Sequence, residues 1–249
     1  MNKILFTTSW DDGSVLDLKV ADLLARYGIK GTFYVPEKFA GRTGKYSAYN
    51  RRLTEEEIRS LAVSHEVGGH SLTHSRLTEI SPEEAKSEIT GSQEFLQKIT
   101  GSPAKIFAFP GGKSNEFLTK VVRESGFMGV RTTKKLSIQK AKEKKFLMDV
   151  TIICQPFPLR WLDSNNLYWR RILDPMRAYT PKQWSLSWQS LARKWFKKAL
   201  AEGNYFHLYG HSWELEKYEM WSELESFLKF VREHQNIVCL SNSEVLEWE

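Results

Sequence analysis

The sequence holds little cysteine: Cys154 and Cys239 are the only two, each set in an apolar run, TIICQ and IVCLS. Two thiols in such surroundings exclude a disulfide framework and a thiolate zinc site, and they fit a reducing compartment. Long apolar runs are missing too. None approaches the roughly 20 residues that cross a bilayer, so no membrane span is expected. The N-terminal MNKILFTTSWDD contains three successive apolar residues, short of the roughly 7–15-residue apolar core of an export signal. A cytoplasmic location is therefore expected. The chain also lacks internal repeats, low-complexity tracts and long Gly/Pro linkers, which predicts a single domain over 1–249.

What is present can bury a large core. Of 249 residues 41% are hydrophobic, with 14 Phe, 9 Tyr and 9 Trp, a composition that excludes disorder. Thirty-six Lys and Arg against thirty Asp and Glu give a formal charge of +6. That balance describes a mildly basic soluble protein and also suits an anionic substrate or a membrane surface. No nucleic-acid recognition motif accompanies it, so no nucleic-acid partner is expected. Oligomeric state is not legible in the sequence.

Short β-rich runs at 3–8, 29–35, 105–109, 128–132, 147–153, 205–209 and 237–240, with a weaker one at 66–69, alternate with helical patterns. Several are apolar almost throughout, as parallel strands covered on both faces tend to be. Thr54-Glu55-Glu56-Glu57 and Ser81-Pro82-Glu83-Glu84 carry helix-start signals, and a helix after Ser14 stops at Gly28. Repeated strand–helix–strand order implies an α/β protein with a parallel sheet or barrel. The segment 157–203 differs, with Trp161, Trp169, Trp184, Trp188 and Trp195 among Arg and Lys residues. Its second half, 181–202, reads as a helix placing Trp184, Trp188, Leu191 and Trp195 on one face. Core packing and a substrate- or lipid-facing aromatic surface are both compatible with that face.

Three clusters carry chemistry. Thr8-Ser9-Trp10-Asp11-Asp12-Gly13 puts two carboxylates at the end of a strand. An Asp-Gly pair is often only a turn, but adjacent like charges call for an offsetting cation. His70-Ser71-Leu72-Thr73-His74 places two imidazoles four residues apart, facing one way if the backbone turns helically, an arrangement that holds divalent metals. His207 and His211 follow in Phe206-His207-Leu208-Tyr209-Gly210-His211-Ser212-Trp213-Glu214. His211, past the apolar part of the strand, is better placed to reach a site mouth, and His207 to pack. One carboxylate and two imidazoles leave a coordination position open for water or substrate, a free carboxylate can serve as base and a histidine as acid. That inventory describes amide or ester hydrolysis.

In this order the motifs resemble the polysaccharide deacetylase family, also called carbohydrate esterase family four or the NodB homology domain. Its TFDDG motif is represented by Ser9-Trp10-Asp11-Asp12-Gly13 and its H-[ST]-x-x-H motif by His70 to His74. The resemblance spans residue 4 to about 245 and implies a single distorted (β/α) barrel of about seven parallel strands. It implies Asp11 as general base, Asp12, His70 and His74 as metal ligands, and His211 as general acid. The family's closing Leu-x-His is matched loosely by Leu208-Tyr209-Gly210-His211, with one residue more. Two departures stand out. The third motif, R-x-P-[FY]-G, reads Ala108-Phe109-Pro110-Gly111-Gly112, so its Arg is gone, while Pro110 and the Gly111 amide remain as the oxyanion and substrate-binding corner. Arg131 is the candidate for the missing cation. The fourth motif, whose Asp tunes the acid histidine, has no clean match, and Asp149, Asp163 and Glu214 compete for it.

The activity implied is metal-dependent removal of acetyl from an N-acetylated sugar, in a polysaccharide, oligosaccharide or precursor. His and carboxylate ligands favour Zn²⁺ over Co²⁺, Ni²⁺ or Mn²⁺. Alternatives are a deformylase or deacetylase of a lipid-linked amino sugar, to which the Trp- and Arg-rich segment and a peripheral membrane contact would belong, a relative that opens cyclic ureides without metal, and a non-catalytic carbohydrate-binding pseudoenzyme. The altered third and fourth motifs suggest the last; the retained ligands and base argue against it.

Overall fold

The computed structural model describes residues 3–38, 51–138, 146–155, 187–202 and 205–248. In chain order the elements are β1 (Ile4–Asp11), α1 (Leu16–Arg26), β2 (Thr32–Val35), α2 (Glu55–Ser64), β3 (Glu66–Gly69), α3 (Pro82–Thr100), β4 (Ile106–Ala108), α4 (Glu116–Glu124), β5 (Gly129–Arg131), β6 (Leu147–Met148), β7 (Ile152–Cys154), α5 (Trp188–Glu202), β8 (Tyr205–Gly210), α6 (Ser212–Lys217), α7 (Trp221–Arg232), β9 (Ile237–Cys239) and α8 (Asn242–Glu247). A 3-10 turn, Pro110–Gly112, follows β4. Among the described residues no helix is long and apolar enough to cross a membrane.

The helix starts follow their local chemistry. Thr54 and Ser81 each accept from the amide three residues on, while Glu57 and Glu84 reach back to the cap amides. These reciprocal bonds satisfy donors that no preceding turn can. Ser241 and Glu244 repeat the device at α8. Gly101, at φ 77°, closes α3 in the left-handed conformation that costs a Cβ-bearing residue most.

The strands form one parallel sheet in the order β6-β5-β4-β3-β2-β1-β8-β7, with β9 adding to the start of β1. The expected run at 147–153 divides in two, so nine strands appear among the described residues. Its first part, β6, pairs with β5; its second, β7, pairs with β8. Residues 149–151 lie between them and bond elsewhere: the Val150 amide donates to the Lys134 carbonyl at 2.9 Å and the Thr151 amide to the His207 carbonyl at 2.9 Å. One short stretch of chain therefore joins both ends of the strand order, and the sheet curls into the barrel-like form expected.

Alternation along β1 separates two interiors. Ile4, Phe6 and Trp10 enter the apolar layer between sheet and helices. Phe6 stacks on Phe206 of β8 at 5.8 Å between centroids, and Phe196 of α5 and Phe227 of α7 pack edge-on or tilted around them. Thr7, Ser9 and Asp11 face the other way and each finds a polar partner, Asn242, His207 and Arg131 respectively. Core packing thus claims most of α5's apolar face: Trp188, Leu191, Ala192, Phe196 and Ala199 are buried. Trp195 sits at the margin, with the Lys198 ammonium 4.9 Å from its ring. Trp161, Trp169 and Trp184 lie outside the described residues.

Gly68 of β3 shows how tightly the barrel interior is filled. A Cβ there would stand 2.8 Å from the Ile106 carbonyl oxygen and 2.8 Å from the Tyr34 ring. Gly68→Ala should lower stability by about 1–3 kcal/mol, the usual cost of overpacking, measured as an earlier urea midpoint; an unchanged midpoint would mean the interior has slack.

Candidate active site

The carboxyl ends of β1, β3, β4, β5 and β8 bring the predicted residues to one edge of the sheet. Asp11 ends β1, and Asp12 follows at φ 86°, an unfavourable angle for a residue with a Cβ. Arg52 anchors this turn by donating from Nη1 to the Asp12 carbonyl at 2.8 Å. His70 and His74 belong to the loop after β3. Their rings converge to 4.9 Å between centroids, without the helical turn expected: Ser71 and His74 both have positive φ, 55° and 58°. Glu88 of α3 pins this loop, accepting from the Thr73 amide at 2.8 Å and from its hydroxyl at 2.6 Å.

Asp12, His70 and His74 each offer one ligand atom, all within 4.8 Å of one another. Asp12 Oδ1 lies 3.0 Å from His74 Nε2 and 3.6 Å from His70 Nε2. The His70 Nδ1–H donates to the Ala108 carbonyl at 2.8 Å, and a carbonyl can only accept. With Nδ1 so engaged, Nε2 is the ring atom left facing the Asp12 carboxylate, and a backbone carbonyl behind the ring is the usual support for a metal-ligating histidine. Burial would raise the Asp12 pKa, but the nearby charge of His211 and the imidazoles of His70 and His74 beside it hold it well below the ordinary value. Burial, with His70 adding to it, pushes the His74 pKa down against the pull of Asp12. An ionised carboxylate and neutral imidazoles are the donor set a divalent cation requires.

Beside this corner Arg131 donates from Nη2 to both oxygens of Asp11. Its guanidinium is stacked between Tyr209 and Tyr34, 4.2 and 5.0 Å from their ring centroids. The residue is 1% exposed. Burial opposes its charge, but Asp11, with Tyr209 and Tyr34 beside it, raises its pKa on balance. The side chain meets Asp11 and two tyrosines, not open space, so Arg131 stands where a cation beside Asp11 was expected. Pro110 and Gly111 stand in the turn after β4. Gly111, at φ 69°, has open space around it, the nearest atom to a hypothetical Cβ being Arg76 Nε at 4.0 Å.

His211 caps α6 and meets Glu214, with Nδ1 to Oε2 at 3.0 Å. Of the three carboxylates weighed for tuning the acid histidine, Glu214 is the one in contact. Asp149 instead accepts from the Thr132 hydroxyl and pairs with Lys134, and Asp163 lies outside the described residues. Burial lowers the His211 pKa, but Asp12 and Glu214 together push it up to about 9. His207 is buried, bridging the Ser9 and Tyr205 hydroxyls at 2.8 and 2.7 Å, and burial beside Arg131 holds its pKa well down. It packs, as its position suggested.

The loose closing motif has a structural correction. Leu208 points into the apolar layer, whereas Tyr209, two residues before His211, shares its face and brings its hydroxyl to 3.4 Å from His211 Nε2. Tyr209 therefore stands at the position, two residues before the histidine, that the motif gives to Leu. Strand period alone could have revealed this. Trp213, also missed, donates from its indole to Asp12 Oδ2 at 2.9 Å, and a helix turn beginning at His211 was the only available signal.

A sequence profile described as "Polysaccharide deacetylase" matches residues 2–130. A peptidoglycan-N-acetylglucosamine deacetylase of Bacillus cereus is 26% identical over 132 residues, which is 52% of this chain and 44% of that one. The chain's match takes in less than half the length of this and a similar Bacillus subtilis relative, at 44% and 43%. The fold is similar to a candidate polysaccharide deacetylase from Mycobacterium smegmatis, at TM-score 0.68 and 18% identity, covering 99% of this chain and 90% of that one. It is also similar to a family 4 acetyl xylan esterase from Clostridium thermocellum crystallised with cobalt, at TM-score 0.58 and 18% identity, over 98% and 90% of the two chains.

Removing one partner of a buried ion pair typically costs about 3–5 kcal/mol. Arg131→Met should show a loss of that size in urea denaturation, and Asp11→Leu/Arg131→Met should recover most of it. A single variant as stable as wild type would show that Asp11 is not held by this pair.

Proposed function

The chain belongs to the polysaccharide deacetylase family, and from that premise we propose that it is a metal-dependent hydrolase that removes acetyl from the amide nitrogen of an N-acetylated sugar. The observation that carries the reading is the convergence of Asp12, His70 and His74, with a braced base candidate on one side and a braced acid candidate on the other. Asp12, His70 and His74 would hold the cation, Zn²⁺ by preference. When bound, such a cation polarises the acyl carbonyl and makes water a competent nucleophile near neutral pH.

The chain's own groups supply the rest. Asp11, fixed by Arg131, takes a proton from the attacking water as its oxygen bonds to the acyl carbon. The Gly111 amide, in the open turn behind Pro110, donates to the oxygen that gains negative charge. His211 gives its proton to the sugar nitrogen as the C–N bond breaks, leaving acetate and the free amine. Glu214 keeps the imidazole oriented and favours its protonated form. The altered third and fourth motifs then mark relocation and not loss: Arg131 from β5 and Glu214 from α6 occupy the roles left vacant. This weighs against a pseudoenzyme.

The test is uptake of Zn²⁺ or Co²⁺ by the purified protein, then acetate release from N-acetylglucosamine oligomers. Asp12→Ala and His74→Ala should abolish metal binding and activity together; activity that survives thorough chelation would sink the mechanism. The pH profile provides a second check. A raised acid pKa means the catalytic proton is present at neutral pH and lost as pH rises. The pull of Asp12 weakens once a cation sits on that carboxylate, so the alkaline limb should fall between the ordinary histidine value of 6.5 and about 9. Glu214→Gln removes a negative neighbour and should move that limb to lower pH; an unmoved limb would exclude His211 as the group that titrates.

A further inference from the structure

The residues His211 to Glu214 form the first turn of α6, and three of the four lead back to the site. His211 is the acid candidate and Glu214 its partner. Ser212 donates its hydroxyl to the buried Asp17 of α1 at 2.5 Å, which ties the turn to the helix following the Asp11-Asp12 strand. Trp213 has no place in the proton transfers described above, yet its indole N–H is 2.9 Å from Asp12 Oδ2 and the residue is 8% exposed.

That contact decides which oxygen of Asp12 is available. Oδ2 is occupied by a donor; Oδ1 is the oxygen near both imidazoles, 3.0 Å from His74 Nε2 and 3.6 Å from His70 Nε2. An indole N–H can only donate and does not titrate in the physiological range, so the carboxylate is held the same way round at every working pH. The backbone of Asp12 is held independently, through Arg52 at its carbonyl. Without the indole the carboxylate could rotate about its side-chain bonds and offer both oxygens to one cation.

We propose that Trp213 is a positioning residue for the metal corner, which makes Asp12 a one-oxygen ligand by engaging Oδ2. The inference rests on the metal reading under Proposed function. It implies that the turn carrying the acid histidine also sets the geometry of the carboxylate ligand, so the two halves of the site are joined through one residue that takes no part in moving protons.

Trp213→Phe keeps an aromatic ring in place and removes the N–H. The probe is Co²⁺ alone, titrated into wild type and variant against a competing chelator dye, with the visible absorption spectrum of the bound ion recorded at saturation. Loss of an outer partner of a metal ligand typically weakens affinity roughly 10–100-fold. The variant should show a weakening of that order together with a changed Co²⁺ spectrum, while the thermal midpoint of the metal-free protein stays close to wild type. The same affinity and spectrum in both proteins would overturn the inference and leave the metal reading intact. A wild type that takes up no Co²⁺ would overturn both. Should Trp213→Phe fail to fold, site-specific replacement of the indole by benzothiophene exchanges the N–H for sulfur at nearly constant shape. Weaker Co²⁺ binding with a changed spectrum is again the expected result, and unchanged binding and spectrum again overturn the inference.

Discussion

A guanidinium buried inside the barrel organises what surrounds it. Arg131 is tolerated there only if a carboxylate meets it, because an unpaired charge away from water costs several kcal/mol. Asp11 is that carboxylate, at the end of a strand whose inward face turns polar beyond Leu5, at Thr7, Ser9 and Asp11. Tyr34 and Tyr209 cover the flat faces of the guanidinium with ring electrons. His207, one strand position below Tyr209, is kept neutral between two hydroxyls, which spares the interior a second positive charge. Polar groups thus line the carboxyl-end part of the interior above Leu5, and the base candidate is the uppermost of them.

The division between polar interior and apolar layer explains how much could be read in advance. Period-two alternation and capping pairs are local, so Thr54 with Glu57, Ser81 with Glu84 and most strands were visible in sequence. The carboxylates of β1 and the histidine pair were visible because they are adjacent or four apart. The helical turn expected of that pair did not form; Glu88, from a helix beginning eight residues after His74, shapes the loop instead. The division of 147–153 could not be read either, because both parts are β-prone and only their partners tell them apart.

The partners of the candidate base and acid show the same limit at higher stakes. A cation was expected near Asp11 and its motif position holds none; the structure supplies it from β5, across the barrel interior and 120 residues along the chain. Glu214 was one of three carboxylates that spacing could not rank. Once the strand ends at Gly210 and a helix starts, a carboxylate three residues after the histidine comes back over it. Charges can change their address in a sequence while keeping their position in space, and a motif records only the address.

The strand order has a consequence for how such a chain comes into being. β1 is the hub, paired with β2 on one edge and with β8 on the other, and its start is also paired with β9. On a ribosome it emerges ahead of all these neighbours, and those on its far edge, from Tyr205 and Ile237 onward, emerge after every other strand. Until they do, the hub strand, with Asp11 at its tip, has at best one lateral partner. Completion of the candidate site's edge therefore waits for β8 and β9, and the nascent chain has an open β1 edge to protect in the meantime.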